Sequence, residues 1–240
     1  IGKYVELQDS YKSILESFIH AGSENEVDVE IVSIHSEYIT KENINSKLSF
    51  LNGVLVAPGF GERGIEGKIL AIEYVRTNNI PFFGICLGMQ MAVIEFARNV
   101  LILEDSNSTE MRKNVTHPVI DLMQSQKNIV NKGGTMRLGS WECELSNPSI
   151  VRDIYSSNVI HERHRHRYEF NNDYLDQFQS EGFIASGINS KTSLVEIFEL
   201  NNHPWFIGVQ FHPEYKSTVN NPHPLFVSFV KAGLTHSKLN

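Results

Sequence analysis

The stretch Gly84-Ile85-Cys86-Leu87-Gly88 decides the fold of this 240-residue chain. It follows an apolar run at residues 80–83 and precedes residues 89–96, which we interpret as a helix. A strand, Gly-x-Cys-x-Gly and a helix in succession are typical of a nucleophile elbow, where a sharp turn presents one side chain at the top of an α/β sheet and the glycines avoid clashes. A thiol at a helix N-terminus is also favoured as the thiolate. This segment therefore predicts an α/β fold, a cysteine nucleophile and the position of an active site.

Strand-like and helix-like segments alternate through the first hundred residues. Residues 27–32 alternate in polarity, and residues 53–57 form the continuous apolar run expected of a buried parallel strand. The apolar residues that mark the helix faces are Ile14, Leu15 and Phe18, then Ile65, Ile69 and Ile72. Gly22 suits the end of the first helix. Alternation of this kind predicts parallel strands joined by right-handed crossovers.

The pattern changes after about residue 100. Residues 103–117 are polar and loop-like, and Gly133-Gly134 opens a further strand-like region. Later strands are expected at residues 182–188, 193–200 and 205–211, with hairpins between them, and a helix is expected at residues 222–233. We expect an α/β fold with a mostly parallel central sheet flanked by helices and an added antiparallel portion in the C-terminal half.

Composition excludes several classes of protein. The chain suits one domain, residues 1–240, and it has no run of about 18 apolar residues that would span a membrane. A formal charge of −7 argues against general nucleic-acid binding. The two cysteines favour a reducing, cytoplasmic environment. Because the chain starts at Ile1, directly before the strand-like residues 2–7, we expect a fragment of a longer polypeptide.

A cysteine nucleophile needs a base, and the base needs a third group that fixes its tautomer. Among ten histidines the best placed is His212, which follows an apolar strand and stands two residues before Glu214. Pro213 stiffens the link between them. A lone buried cysteine is more often inert packing, and the glycine flanks of Cys86 reverse that preference. Cys143 lacks such flanks, and we expect it to be structural.

An oxyanion formed during acyl transfer needs N–H donors that are already in place. The Leu87 N–H, next to the nucleophile, is one natural donor. The turn at residues 57–61, which contains Gly59, follows the buried strand at residues 53–57 and would supply a second. The alternative is an ordinary strand-to-helix loop.

Together these residues resemble the class I glutamine amidotransferases, whose marks are Gly-Ile-Cys-Leu-Gly-Met-Gln, here at residues 84–90, and a late His-Pro-Glu, here at residues 212–214. The resemblance narrows to the glutaminase domain of CTP synthases. It covers nearly the whole chain, and the further segments that carry it are residues 2–7, 11–13, 60–68, 107–110, 133–139 and 162–169. The resemblance implies a flavodoxin-like fold and hydrolysis of L-glutamine to glutamate and ammonia through a cysteinyl thioester.

The resemblance also implies a role for individual residues. Cys86 would be the nucleophile, His212 the general base and acid, and Glu214 its orienter. Gly59 and Leu87 would form the oxyanion hole, although relatives often read Pro-Gly-Gly-Phe-Gly where this chain has Pro58 before Gly59. The residues implied to bind glutamine are Gly59, Leu87, Gly88, Met89, Gln90, Glu110 and Arg167.

Partners follow from the same resemblance. This domain would need no cofactor or metal, whereas the full-length enzyme would use ATP, UTP, Mg²⁺ and activating GTP. An N-terminal synthetase domain, absent from this chain, would receive the ammonia, and the full-length enzyme would be a homo-oligomer. Arg163 and Arg165 would be linked to GTP activation, and with Arg167 they would share one face of a strand. The alternatives for this segment are a nucleic-acid patch and a zinc site from His161, His164 and His166.

Two other functions stay open from the residues alone. A stand-alone γ-glutamyl hydrolase of the same fold would need neither the basic segment at residues 163–167 nor an N-terminal partner. An inactive regulatory or binding module would keep the fold without turnover, although all three triad residues are present.

Overall fold

The computed structural model describes residues 1–122 and 136–239. Its helices are α1 (Lys12–Glu24), α2 (Ile44–Leu48), α3 (Ile65–Thr77), α4 (Leu87–Asn99), α5 (Ile150–Tyr155), α6 (Leu175–Ser180) and α7 (Pro224–Ser237). Its strands are β1 (Val54–Val56), β2 (Phe82–Ile85), β3 (Ser106–Ser108), β4 (His117–Leu122), β5 (Arg137–Leu145), β6 (Val159–His166), β7 (Tyr168–Phe170), β8 (Phe183–Ile188), β9 (Val195–Leu200) and β10 (Phe206–Val209). The expected strand-like start at Gly133-Gly134 lies outside the described residues.

A seven-stranded sheet in the order β1-β2-β10-β9-β8-β5-β6 forms the centre of the molecule. Strands β1 and β2 pair in parallel, because the connection through α3 is long enough for a crossover. Strand β10 pairs in parallel with the other edge of β2. The remaining pairs are antiparallel, as the short β8–β9 and β9–β10 connections require. The α/β class and the antiparallel C-terminal portion are confirmed, and parallel pairing within this sheet is confined to three strands.

A second, three-stranded sheet in the order β3-β4-β7 accompanies the central one. Strand β3 lies within the segment at residues 103–117 that we expected to be a loop. It is only three residues long, and its residues Ser106, Asn107 and Ser108 are polar, so neither length nor hydrophobic pattern predicts it. All three residues are nevertheless buried.

Residues 27–32 form no strand, contrary to the prediction from their alternating polarity. Within the described residues, the next backbone pairing after Val27 is at Ile34, whose carbonyl accepts a hydrogen bond from the Gly2 N–H at 3.1 Å. A cavity of about 560 Å³ is lined by this segment and by residues 52–55. Since a strand requires a hydrogen-bonded neighbour, alternation in sequence does not produce one here.

Two shorter expectations near the N-terminus are also wrong. Of residues 2–7, only Gly2 pairs as a strand residue, in a single bridge to His35, because the chain then turns at Leu7. Gly22 lies inside α1 and does not end it, since the helix continues to Glu24.

Two clusters of buried apolar side chains pack against the central sheet. Phe82 belongs to one cluster, with α3 and α4, and Phe83 belongs to the other, with α1 and α7. Successive side chains of a strand point to opposite faces, so β2 is covered on both sides. The site depends on this arrangement, because Ile85 at the end of β2 lies beside Val209 at the end of the parallel strand β10.

None of the helices in the described part of the chain combines the length and apolar character needed to span a lipid bilayer.

Candidate active site

Cys86 lies at the tight turn between β2 and α4. Its backbone has φ 52° and ψ −102°, a conformation that costs energy for any residue with a side chain. A Cβ on Gly84 would lie 2.8 Å from the carbonyl carbon of Gly88, and a Cβ on Gly88 would lie 2.1 Å from the carbonyl oxygen of Val56. Both glycines are therefore needed for the close approach of helix and strands, as expected for a nucleophile elbow.

His212 and Glu214 lie just beyond β10, at the same edge of the sheet as Cys86. His212 Nδ1 and Glu214 Oε1 are 2.8 Å apart, and both side chains are buried. The His212 N–H donates to the Arg163 carbonyl at 2.8 Å, which ties this segment to β6. The ring of Tyr215 stacks on the imidazole with the centroids 5.2 Å apart. Two contacts hold the ring and one holds its backbone, so the position of His212 is fixed before any substrate arrives.

The electrostatics of His212 favour its protonated form. Burial lowers its pKa, but the Cys86 sulfur and the Glu214 carboxylate raise it more strongly, to about 11. Among the described residues, no acceptor is placed to form a well-aligned hydrogen bond with His212 Nε2. We therefore attribute the shift mainly to charge attraction, and Nε2 is available to the sulfur or to a substrate. A thiolate beside an imidazolium is the reactive form of a cysteine nucleophile.

A cavity of about 250 Å³ opens at Cys86. It is lined by Gly59, Phe60, Cys86, Gln90, Glu110, Met136, Arg165, His166, Arg167 and Tyr168. The structure thus brings together Cys86, the predicted nucleophile, and four of the residues predicted to contact glutamine, namely Gly59, Gln90, Glu110 and Arg167. The cavity carries both an acidic and a basic side chain, which suits a small zwitterion.

Other residues predicted to bind glutamine do not line this cavity. Gly88 packs against Val56, and Met89 is buried beside Gly208. The Leu87 side chain is buried as well, but its N–H belongs to the first turn of α4, where helices leave such groups unpaired. Any contact of these residues with a ligand would therefore be made by their backbone.

The predicted oxyanion loop is held by three side chains whose contacts with it were not predicted from the sequence. Glu110 Oε1 accepts the Gly61 N–H at 3.0 Å. Lys68 Nζ donates to the Ala57 carbonyl at 2.6 Å, and Lys3 Nζ donates to the Phe60 carbonyl at 2.8 Å. Burial lowers the pKa of Lys68 to about 7 and that of Lys3 to about 8. Both lysines lie in segments that carry the family resemblance, residues 2–7 and 60–68, but those segments do not indicate these contacts, which form only on folding.

The side chains of strand β6 alternate between an exposed and a buried face. Arg163 and Arg165 are exposed, and Arg165 also lines the cavity. The strand ends at His166, so Arg167 does not share its face as we expected. His161 is on the exposed face, whereas His164 and His166 are buried, and this contradicts the zinc alternative. Residues 1–122 and 136–239 contain no group of three or more potential ligands placed for a metal ion.

A buried polar cluster behind the cavity was not predicted. Arg137 approaches Glu169 at 3.6 Å and also pairs with Glu196. His164 Nδ1 and His166 Nε2 are 2.7 Å apart. Burial raises the pKa of Glu196 to about 7 and that of Glu169 well above its usual value, while Arg137 opposes both shifts. The only signal in sequence was that Arg137, His164, His166 and Glu169 lie in the distinctive segments 133–139 and 162–169, and Glu196 had none.

Comparison with known proteins agrees with this geometry. Residues 6–232 match the family model of class-I glutamine amidotransferases. The CTP synthase of Christiangramia forsetii is 67% identical over 237 residues, which are 99% of this chain and 43% of that protein. The CTP synthase of Clostridium acetobutylicum is 56% identical over 235 residues, 98% of this chain and 44% of that protein. The chain thus spans less than half the length of these relatives.

Solved structures give the same result. The glutaminase domain of Trypanosoma brucei CTPS with bound acivicin superposes with a TM-score of 0.91 at 39% identity, covering 98% of this chain and 92% of that one. A candidate GMP synthase protein from Thermoplasma acidophilum has a TM-score of 0.61 at 17% identity, covering 94% and 90%, which shows the fold alone. With the elbow at Cys86 and a family model spanning most of its length, the chain belongs to the class-I glutamine amidotransferases.

Proposed function

We propose that this chain hydrolyses L-glutamine to glutamate and ammonia as the glutaminase part of a CTP synthase. The observation that carries the proposal is the cavity that joins Cys86 to Glu110 and Arg167. A thiolate–imidazolium pair lies at its reactive end, and side chains of opposite charge line its wall. The identity to CTP synthases and the likeness to a glutaminase domain that holds acivicin support the same reading.

The chemistry follows from the charges at the site. The Cys86 thiolate adds to the side-chain amide carbon of glutamine, and the oxyanion is stabilised by the N–H groups of Leu87 and Gly59. His212 gives its proton to the leaving nitrogen, the C–N bond breaks, and ammonia departs from a glutamyl thioester. His212 then takes a proton from water, whose oxygen attacks the thioester. The C–S bond breaks, glutamate leaves, and the thiolate and imidazolium are restored.

Selectivity would come from the two ends of the substrate. The Glu110 carboxylate suits the cationic α-amine, and the Arg167 guanidinium suits the α-carboxylate. Gln90, Gly88 and Met89 would complete the pocket, the last two through their backbone. A γ-glutamyl peptide presents the same α-amino and α-carboxylate groups, so these charges select the glutamyl part and not the leaving group.

We infer that the chain works within a longer enzyme, since it covers 43–44% of the length of its CTP synthase relatives. A synthetase domain of the same polypeptide would use ATP and Mg²⁺ to activate UTP and would take up the ammonia. Arg163 and Arg165 would take part in activation by GTP. A homo-oligomer in the cytoplasm is the expected form of that enzyme.

The decisive experiment measures glutamate release from glutamine and covalent labelling by acivicin. We expect labelling at Cys86, loss of labelling and turnover in Cys86→Ala, and retention of both in the control Cys143→Ala. Labelling on Cys143 would contradict the assignment. Faster turnover of γ-glutamyl peptides than of free glutamine would favour the γ-glutamyl hydrolase instead. Absence of glutamate release, with GTP and the synthetase domain supplied, would favour an inactive module.

A further inference from the structure

Gln210, a residue with no role in the chemistry described so far, contacts the nucleophile directly. It follows β10 and is fully buried. Its side-chain Nε2 lies 3.6 Å from Cys86 Sγ, within hydrogen-bonding range of a sulfur acceptor. Its backbone N–H donates to the Glu196 carbonyl at 2.8 Å. A buried amide fixed at both its backbone and its side chain has little freedom to leave the sulfur.

Neighbouring groups set the orientation of this amide. Gln90 Nε2 donates to the Tyr168 carbonyl at 3.0 Å, and a carbonyl can only accept, so the nitrogen end of Gln90 faces Tyr168. The same nitrogen donates to Gln210 Oε1 at 3.1 Å. The oxygen of Gln210 is thereby occupied, and its NH₂ group points to the sulfur. A chain of hydrogen bonds from Tyr168 through both glutamines thus ends in an N–H donor at Cys86.

We propose that Gln210 is a catalytic residue that donates a hydrogen bond to the Cys86 thiolate and stabilises its negative charge. His212 faces the same sulfur, but it also has to give a proton to the departing ammonia and take one from water. The Gln210 amide keeps its N–H groups through both steps, so a donor is in place when the thioester breaks and the sulfur becomes an anion again. The amide is neutral, so it stabilises the thiolate without competing for the proton. Its part in turnover rests on the proposed function, whereas the contact itself does not.

The test measures how fast iodoacetamide alkylates Cys86 as a function of pH, with the modified peptide identified by mass spectrometry. Gln210→Met keeps the size of the side chain and removes the donor. Gln210→Glu also places a carboxylate beside the sulfur. We expect the midpoint of the rate profile to move up by about one to two pH units in Gln210→Met, since a hydrogen bond to a charged group is worth about tenfold or more. The shift in Gln210→Glu should be larger.

Gln177→Glu is the matched control, because it makes the same chemical change at an exposed position on α6. We expect its profile to equal that of the parent chain. Unchanged profiles in both Gln210 variants would overturn the proposal, since a purely structural glutamine would not set the pH at which the sulfur reacts. Alkylation needs no glutamine, so this result is independent of whether the chain releases glutamate.

A measurement on the unaltered chain covers the case in which neither variant folds. With ¹⁵N-labelled glutamine side chains, the NMR chemical shifts of one buried NH₂ group should change with pH. The midpoint of that change should equal the midpoint of Cys86 reactivity, and alkylation of Cys86 should abolish it. If no glutamine NH₂ group responds to ionisation of the sulfur, Gln210 makes no such hydrogen bond and the proposal is wrong.

Discussion

His212 Nδ1 and Glu214 Oε1 lie 2.8 Å apart, although only Pro213 separates the two residues in the chain. The short turn at Pro213–Tyr215 folds the carboxylate back onto the ring. This bond holds the proton on Nδ1 and leaves Nε2 toward the sulfur, which is the tautomer a cysteine nucleophile requires. Orientation and charge stabilisation therefore come from one contact.

Glu214→Gln should lower kcat for glutamine hydrolysis by about 10²- to 10⁴-fold, because the amide supports the imidazolium poorly and favours the wrong tautomer. Removing one partner of a buried pair also lowers stability, so thermal unfolding is recorded to show that the chain is folded at the assay temperature. The control Glu181→Gln removes a carboxylate from an exposed turn and should leave kcat unchanged. A Glu214→Gln chain with parental kcat would show that His212 does not depend on this bond.

Cys86→Ala should lower the pKa of His212. In the parent chain burial opposes protonation, but the attraction of Cys86 and Glu214 raises the pKa to about 11. Removing the sulfur leaves burial and Glu214 only, so we expect a decrease of more than about one unit. NMR titration of the imidazole, assigned with His212→Gln, measures the change. An identical titration in both chains would mean that no thiolate–imidazolium pair exists.

The parts of the site that sequence could predict are those fixed by local geometry. A glycine-flanked cysteine between strand and helix predicts β2, α4 and a nucleophile together. The structure places His212 and Glu214 at the same edge of the sheet as Cys86, because β2 and β10 are parallel neighbours. The roles of Lys3, Lys68 and Gln210 could not be predicted in this way. Their contacts with Phe60, Ala57 and Cys86 each join residues more than ten positions apart, and such contacts exist only after folding.

The failures in the fold have a similar cause. Residues 27–32 alternate between polar and apolar side chains as a strand does. Such alternation shows which face of a segment would be buried, but it does not show which strand the segment would pair with. The reverse holds for β3, whose polar residues Ser106, Asn107 and Ser108 pair with β4 although no pattern marks them. Pairing depends on which strands the topology brings together, and the sequence of one segment does not contain that information.

Lys68→Met should change how stability depends on pH. Burial, with repulsion from Lys3, lowers the pKa of Lys68 from 10.5 to about 7, and the attraction of Cys86 only partly offsets this. Between pH 7 and 10.5 the unfolded chain binds more protons than the folded one, so the Lys68 contribution to unfolding free energy rises with pH. Relative to Lys68→Met, the parent should gain about 3–5 kcal/mol from pH 6 to 10.

Urea unfolding at both pH values measures this difference. Lys191→Met, at an exposed lysine, should show the pH dependence of the parent. The raised pKa of His212 also affects how stability depends on pH, but His212 is present in every variant, so its effect largely cancels in the comparison. Parallel curves for the parent and Lys68→Met would show that Lys68 keeps an ordinary pKa.

Gly88→Ala should lower the stability of the chain strongly, whereas Gly59→Ala should hardly change it, although both replace a glycine next to the site. At Gly88 the new Cβ would lie 2.1 Å from the Val56 carbonyl oxygen, a backbone atom of β1 that cannot move without disturbing the parallel pairs. We expect a loss of more than about 1–3 kcal/mol or failure to fold. At Gly59 the nearest atom is 3.5 Å away, in the Leu87 side chain, so the change should stay within about 0.5 kcal/mol. Thermal unfolding of the two variants decides the matter: a stable Gly88→Ala would mean that helix and strand do not approach so closely, and an unfolded Gly59→Ala would mean that the loop is more crowded than its contacts indicate.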